Sequence, residues 1–526
     1  MSPASCLAHP RCVYLFGTFL LFVGVCSAAS NKNTPPPHSW RDALIVNEDN
    51  SHFFSSRPPE EMTQAGLEAL VDRYAGSAVT HLFFSPNAMR TSFRSKTRDA
   101  IWDAVDGVEP TARWPQNAKR LDRAGLDPYA IWIDRCRSQG ISPWLSMRMN
   151  DVHSVDEPES FMHSEFWRAH PNFRRVPGGS VVPWVNQALD YAHPEVRAYQ
   201  MALVHELLER YDPDGIELDW MRFGHHLTPG REAAQGIVLT RFIEEVRAVA
   251  GQWAQKRGHP VFVGVRVPAH PEAAKGLGMD AVTWAKSGLI DLIVAGPFWT
   301  TSDFDIPLER WHAALGESAA RVATIPGLEY NSRAWPAGRS VANDLPTARG
   351  FAATSYRRGA QNLYLFNWMD NETRPVSEAD YATLLKNGLT VKALRGQPRR
   401  HPVTYRDTVP AGFPNGVQLP VEGPTGGRFR VDIGSRENLT TAWLVVGLAK
   451  REGVEASAFQ ARINGQPAAV AERLEGAAPL PDTGRTLRFL ITQDSLRDGE
   501  NEIRLLQTEG QAAQQIVWVE LRLNLE

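Results

Sequence analysis

At 526 residues the chain exceeds one ordinary hydrophobic core, so two or more domains are expected, one of which can be a large barrel. With 43% hydrophobic and 22% charged residues it has the make-up of a soluble globular protein, and a formal net charge of −3 leaves no basic excess for phosphate backbones, so no nucleic-acid partner is expected. Sixteen Trp against eleven Tyr is a high share, suited either to core packing or to flat apolar platforms for sugar rings.

The N-terminus reads as an address. Arg11 precedes the apolar run VYLFGTFLLFVGV (13–25), followed by the small residues Cys26-Ser27-Ala28-Ala29. The run of 13 residues is short of the roughly 20 that a spanning helix needs. A cleaved signal peptide over 1–28 is expected, giving a secreted or periplasmic protein without a stable membrane span. Lipid attachment at Cys26 ranks second, because Val25 before it is bulkier than the usual Gly or Ala. Cleavage after Ala28 leaves only Cys136, so a disulfide framework is not available to the mature chain. Residues 29–40, with NKNTPPPHSW, read as a linker.

From residue 42 short apolar runs alternate with amphipathic ones. ALIVNED (43–49) reads as a strand and PEEMTQAGLEALVDRYAG as the helix after it. VTHLFFSPN (79–87) follows, then a long loop and the helix LDPYAIWIDRCRSQG. ISPWLSMRMND (141–151) is the third strand, and HPEVRAYQMALVHELLERY is a helix leading into the fourth, DGIELDW. VFVGVRVPAH (261–270), IDLIVAGPFW (290–299), RVATIPGLEY (321–330) and NLYLFNWMD (362–370) complete eight. Eight such units, each strand too apolar for a sheet wet on one face, predict a closed (β/α)8 barrel over 41–394. No G-x-G-x-x-G turn follows the first strand, which argues against an open dinucleotide-binding sheet. Beyond 395 the segments RFRVDIG, TAWLVVGLA, FQARINGQPA, TLRFLIT, NEIRLLQ and QIVWVELRLNL alternate, with Asn464-Gly465 and Asp498-Gly499 as turns. A jelly-roll-like β-sandwich over 395–526 is expected, serving either as a cap on the barrel or as a sugar-binding module.

Barrel chemistry gathers at the C-terminal strand ends. There the chain delivers Asn47, Glu48, Asp49 and His52; Asn87 and Arg90; Arg148, Asn150 and Asp151; Glu217, Asp219 and Arg222; Arg266 and His270; Phe298, Trp299, Asp303 and Asp305; Glu329; and Asn367, Trp368 and Asp370. Polar groups collected at one end of every strand are hard to explain by core packing. In YDPDGIELDWMRFGHH (211–226) the two-residue period points Glu217 and Asp219 to the axis and Ile216, Leu218 and Trp220 to the helices. The acids either act chemically or form an internal ion-pair network with Arg148, Arg222 or Arg266.

This strand resembles the fourth strand of chitinase-type barrels of glycoside hydrolase family 18, D-G-x-D-x-D-x-E, with Asp214, Gly215, Glu217 and Asp219 on matching places. Met221 stands where that family has its proton-donating Glu, so the resemblance does not carry over that mechanism. In layout the chain is also similar, over about residues 40–390, to the glycosyl-hydrolase-like family 10 proteins, and alpha-galactosidase-type barrels are similar in placing an Asp nucleophile where Asp219 stands. The resemblance implies a glycosidase without a cofactor or metal.

Glycosidic cleavage needs two carboxyl groups. Asp219 is the first candidate, with Glu217 beneath it and Glu329 as the partner by analogy with barrels that use strands four and seven. Asp303 and Asp305 are rivals that also suit a turn or cap before LERWHAAL. Trp299 and Trp368 are candidates for sugar stacking, and Asn47, Asp49, Asn87, Arg90, Arg148, Asn150, Arg222 and Arg266 for contacts to the substrate. The arginines point either to a carbohydrate carrying carboxylate or sulfate groups, or to neutralisation of the acids. Two other readings remain: a metal-dependent, deacetylase-like hydrolase using Asp49, His52, Asp219, His225 and His226, and a carbohydrate-binding barrel without catalysis, for which Met221 is the direct hint.

Overall fold

The computed structural model describes residues 40–177, 183–299, 301–373, 376–450, 458–469, 480–508 and 512–525. The expected signal peptide and nearly all of the linker lie outside the described residues.

Eight strands close a barrel: β1 (Leu44–Glu48), β2 (His81–Phe84), β3 (Ser142–Arg148), β4 (Gly215–Asp219), β5 (Phe262–Pro268), β6 (Leu292–Gly296), β7 (Ala323–Glu329) and β8 (Leu363–Phe366). Each is parallel to the next, and β8 returns to β1. The register sets Arg148 beside Asp219, Asp219 beside Arg266 and Phe366 beside Glu329.

The two faces of the strands feed different cores. Ile216, Leu218, Trp220, Val263, Val265 and Val267 pack outward against the helices, while Ile45, Phe83, Trp144, Leu292, Val294, Ile325, Tyr364 and Phe366 fill the lumen. Trp144 plugs its lower part, stacked on Phe83 at 4.8 Å and parallel to Phe262 at 6.2 Å between centroids. Gly215 is there because that ring is: a Cβ would stand 2.6 Å from the indole. The helix Glu232–Arg257 follows β4, buries Leu239, Phe242, Ile243 and Val246 at helical spacing, and stops at Gly258 in the left-handed region at φ 76°.

Two local differences from the sequence reading have physical causes. The expected long loop after β2 contains the helix Arg113–Arg123, whose buried Trp114, Ala118 and Leu121 are spaced for one face, but whose charge and first-turn Pro115 mask that stripe. The eighth strand ends at Phe366, four residues early, because Asn367 turns to φ 61° and opens the 3-10 turn Trp368–Glu372.

The C-terminal part is a sandwich of two antiparallel sheets. One has the order β9 (Arg399–Pro402), β17 (Gln515–Leu523), β12 (Ala442–Ala449), β15 (Thr483–Leu490), with β10 (Val421–Glu422) also on β17; the other has the order β11 (Gly427–Asp432), β16 (Glu500–Gln507), β13 (Phe459–Ile463), β14 (Gln466–Pro467). Their inner faces share a core that includes Phe429, Leu444, Val446, Ile503 and Trp518. Asn464-Gly465, with φ of 49° and 85°, makes the two-residue turn between β13 and β14. Barrel and sandwich belong to one compact unit. Gly350, on the helix Leu345–Arg357, lets that helix approach β9 closely, since a Cβ would stand 1.9 Å from the carbonyl oxygen of Arg400. Arg400 bridges Asp344 at 2.7 Å and Glu520 at 2.8 Å. The loop 403–420, between β9 and β10, runs back onto the barrel.

Candidate active site

Along β4 the inward side chains are Gly215, Glu217 and Asp219, about 6.6 Å apart in height. Glu217 lies in the lumen, fully buried, accepting from the Ser146 hydroxyl at 2.5 Å and the Tyr364 hydroxyl at 3.4 Å, while its Oε1 has no partner. Burial, reinforced by Asp219, pushes its carboxyl up to about 8. It sits one layer below the mouth, enclosed by the barrel.

Asp219 crowns the strand. Its Oδ1 accepts from Arg266 Nε at 2.8 Å and from the backbone N–H groups of Met221 and Arg222, both at 2.9 Å; its Oδ2 accepts from Arg266 Nη2 at 3.1 Å. The guanidinium lies 3.7 Å over the Phe366 ring and donates from Nη1 to the Pro297 carbonyl. Asp219 is only 2% exposed. It is one half of an ion pair with Arg266 and also the cap of the turn that carries Arg222 and Phe223.

Two groups complete this layer. Arg148 is held between Asp49 and Asp151, bonding Asp49 through Nη2 and Asp151 at 2.9 Å through Nη1. Burial acts the other way, but Arg148, Arg222 and the Ser51 backbone hold the Asp49 carboxyl well below the usual range. Arg222, 9% exposed, reaches Asp49 at 3.4 Å with Nη2, and its Nε and Nη1 find no acceptor. On the far wall Glu329, fully buried, accepts from Asn367 Nδ2 at 3.2 Å, and the Asn367 backbone N–H in turn donates to Asn47 Oδ1 at 2.6 Å. Burial raises Glu329 to about 8 despite the attraction of Arg222 and Arg266. The mouth thus holds an ion-paired Asp219 and, across from it, a Glu329 whose carboxyl is raised by burial and has no cation in hydrogen-bond contact.

An aromatic rim stands beside this layer. Trp299 is 46% and Trp184 48% exposed, and Phe298 lies between them, 6.0 Å from Trp184 and 6.3 Å from Trp299. Phe223 closes the group at 5.1 Å from Phe298, held at φ 66°, a conformation that costs a bulky residue on the order of 1 kcal/mol. Loop 403–420 meets the rim through Asp407, which accepts the backbone N–H groups of Phe298 and Trp299 at 2.9 Å. Trp184, Phe223 and Asp407 escaped the sequence reading. Trp184 stands in PWVNQ between elements, and Asp407 lies more than 100 residues from the peptide it holds, so neither carries a local signal.

Other expected contacts are used up by the fold. Asn87 donates to the carbonyls of Ala88 and Arg148 and accepts from Arg148 N. Asn150 is spent on Leu189, through both its carbonyl and its amide. Arg90 ties the carbonyls of His163 and Asp103. Trp368 is 2% exposed, with its ring against Tyr330 and its N–H on Leu328 O, so it is a core residue and offers no face to a sugar. Of the rival acids, Asp303 pairs with Arg406 at 3.1 Å, and Asp305 pairs with Arg358 and Arg406. Asp303 accepts from the Asp305 backbone N–H, the turn role expected of that stretch.

The metal-binding set does not converge. His52 is engaged by Glu48 on the outer side of β1, His226 lies between Asn150 and the Trp220 carbonyl, and Asp49 and Asp219 are taken by arginines. Among the described residues no group of three His, Cys, Asp or Glu side chains is placed to hold a metal ion. Cys136 is buried on the helix Pro128–Ser138, and burial pushes its thiol up, away from reactive thiolate. A cavity of about 410 Å³ opens at the opposite end of the barrel, against Trp40, His312, Arg321 and Asn362. Among the described residues its lining carries no carboxyl group. Among the described residues no helix is long and apolar enough to cross a membrane.

No family model matches the chain, and no curated protein does. Among solved structures it is similar to a cycloisomaltooligosaccharide glucanotransferase from Paenibacillus sp., at 10% identity and a TM-score of 0.36, covering 91% of this chain and 57% of that one. It is similar to a putative alpha-L-fucosidase from Bacteroides thetaiotaomicron at 12% identity and a TM-score of 0.36, covering 91% and 95%. The PgaB (BpsB) glycoside hydrolase domain from Bordetella bronchiseptica gives 13% identity and a TM-score of 0.38, covering 66% and 99%.

Proposed function

We propose that the protein is a glycoside hydrolase working at the C-terminal mouth of its barrel, with Glu329 as proton donor and Asp219 as the negative charge that stabilises the cationic transition state. The observation that carries this reading is the contrast between two carboxyl groups of one mouth. Asp219 is in bidentate contact with Arg266, whereas Glu329 has no cation in hydrogen-bond contact and burial pushes its carboxyl up to about 8. Environments that separate two acids in this way assign one to donate and the other to remain charged. Oδ2 of Asp219, with one N–H on it, is the oxygen left to face a sugar carbon. Glu217 acts from below through Asp219.

Trp299 and Trp184 supply the stacking faces. The unpaired Nε and Nη1 of buried Arg222 favour a saccharide that bears carboxylate or sulfate, since unmet buried N–H groups cost about 1–3 kcal/mol each until an acceptor arrives. Export by the N-terminal segment belongs to the same proposal, because polymeric saccharides are met outside the cell.

A second reading, a carbohydrate-binding barrel without catalysis, is favoured by the four hydrogen bonds on Asp219 and the complete burial of Glu217 and Glu329. Incubation with a panel of neutral and uronate- or sulfate-bearing polysaccharides, followed by mass spectrometry of the products, separates the two. The hydrolase reading expects shortened chains; tight binding that leaves every polymer intact refutes it.

A further inference from the structure

The loop 403–420 belongs to the sandwich, yet it clamps the segment after β6 at three points. Thr404 Oγ1 accepts from Phe304 N at 3.3 Å, Arg406 pairs with Asp303 and Asp305 at 3.1 and 2.9 Å, and Asp407 receives the N–H groups of Phe298 and Trp299. The first two contacts fall on residues 303–305, beyond the aromatic rim in the chain. The third falls on the peptide that carries two aromatic residues of the rim. On its other side the Pro297 carbonyl accepts from Arg266, the guanidinium that holds Asp219. A continuous polar path therefore runs from Asp219 through Arg266 and the 297–299 backbone to Asp407.

We infer that Asp407, supplied by the sandwich, is a positioning residue for saccharide binding: its carboxylate fixes the Phe298–Trp299 peptide and so sets the stacking face at the barrel mouth. The inference rests on the glycosidase reading for the identity of the ligand, but not for the geometry. A carboxylate accepting two backbone N–H groups is a stronger restraint than a neutral acceptor. Trp299 is 46% exposed, and its ring meets that of Phe298, in the same segment, at 6.3 Å. Asp407 is pushed up to about 6 by burial, with the N–H groups, the Thr408 hydroxyl and Arg266 acting against that rise. The charged group facing it from the barrel is thus Arg266.

The test has two arms, both on the full mature chain. Hydrogen exchange in Asp407→Ala should accelerate at the amides of Phe298 and Trp299 by about tenfold or more relative to wild type, with the β1–β8 amides unchanged. Unchanged exchange at these two amides in a folded variant overturns the inference. In the second arm, hexasaccharides of glucose, N-acetylglucosamine and galacturonate are titrated into wild type, Asp407→Ala, Asp407→Asn, Trp299→Ala and the double variant Asp407→Ala/Trp299→Ala. Asp407→Ala should weaken binding about tenfold, Asp407→Asn less, and the double variant no more than Trp299→Ala alone. Additive losses, which a mere staple between domains would give, overturn the inference. If wild type binds none of the three saccharides, it is the glycosidase reading that falls, while the exchange arm decides the positioning role by itself.

Discussion

Replacing Glu329 by Gln should change how stability depends on pH. In the folded protein burial holds this carboxyl at about 8 against an ordinary value of 4.5. Between those values the folded state keeps a proton that the unfolded chain releases. The unfolded state then binds fewer protons, so stability falls as pH rises, at up to about 1.4 kcal/mol per pH unit. The contribution is complete below about pH 4.5 and gone above about pH 8. Over that window Glu329 alone costs roughly 5 kcal/mol, as an order of magnitude. The amide of Glu329→Gln keeps the side-chain shape and an oxygen for Asn367 Nδ2, and has no proton to lose. Buried His226, which burial lowers to about 3, adds a slope of the opposite sign on the acid side of 6.5, but it is common to both proteins and cancels in the difference. Urea unfolding followed by tryptophan fluorescence at pH 5, 6, 7 and 8 measures that difference. The variant should gain on wild type by a few kcal/mol between pH 5 and 8. A difference that stays constant with pH would show that Glu329 is not a buried protonated acid.

Two further substitutions test the packing that shapes the mouth. Gly215→Ala drives a methyl into the Trp144 ring, so it should destabilise the barrel by about 1–3 kcal/mol or abolish folding, as read by the thermal midpoint. Trp299→Ala and Trp368→Ala should behave as opposites: the exposed Trp299 loses saccharide affinity with an unchanged midpoint, whereas the buried Trp368 loses roughly 3–5 kcal/mol of stability, measured by denaturation.

The barrel was legible because its strands are short, apolar and regularly separated, and because a side-chain period of two decides which residues meet the axis. That rule placed Glu217 and Asp219 inward and Ile216, Leu218 and Trp220 outward, and the structure agrees. The helix Arg113–Arg123 was hidden by its own charge. What the strand-end rule could not tell is which polar groups are already spent. Asn87, Asn150 and Arg90 stand at strand ends like the others, but their partners are backbone carbonyls of distant loops, and hydrogen bonds of that kind leave no trace in one sequence. Trp368 follows the same logic: its position suggested a sugar platform, and a local turn folded it into the core. The rim shows the reverse failure, since Trp184 and Asp407 join Trp299 only through the closing of the barrel and the return of the sandwich loop.

Acid catalysis by Glu329 is the centre of the account, and leaving-group dependence measures it directly. Hydrolysis by wild type and Glu329→Gln is compared on an oligosaccharide, whose departing oxygen needs a proton, and on the matching glycosyl fluoride, which needs none. The account predicts a loss of about 10²–10⁴ in kcat on the oligosaccharide and little change on the fluoride. Equal losses on both substrates, or an unimpaired variant on the oligosaccharide, would contradict it.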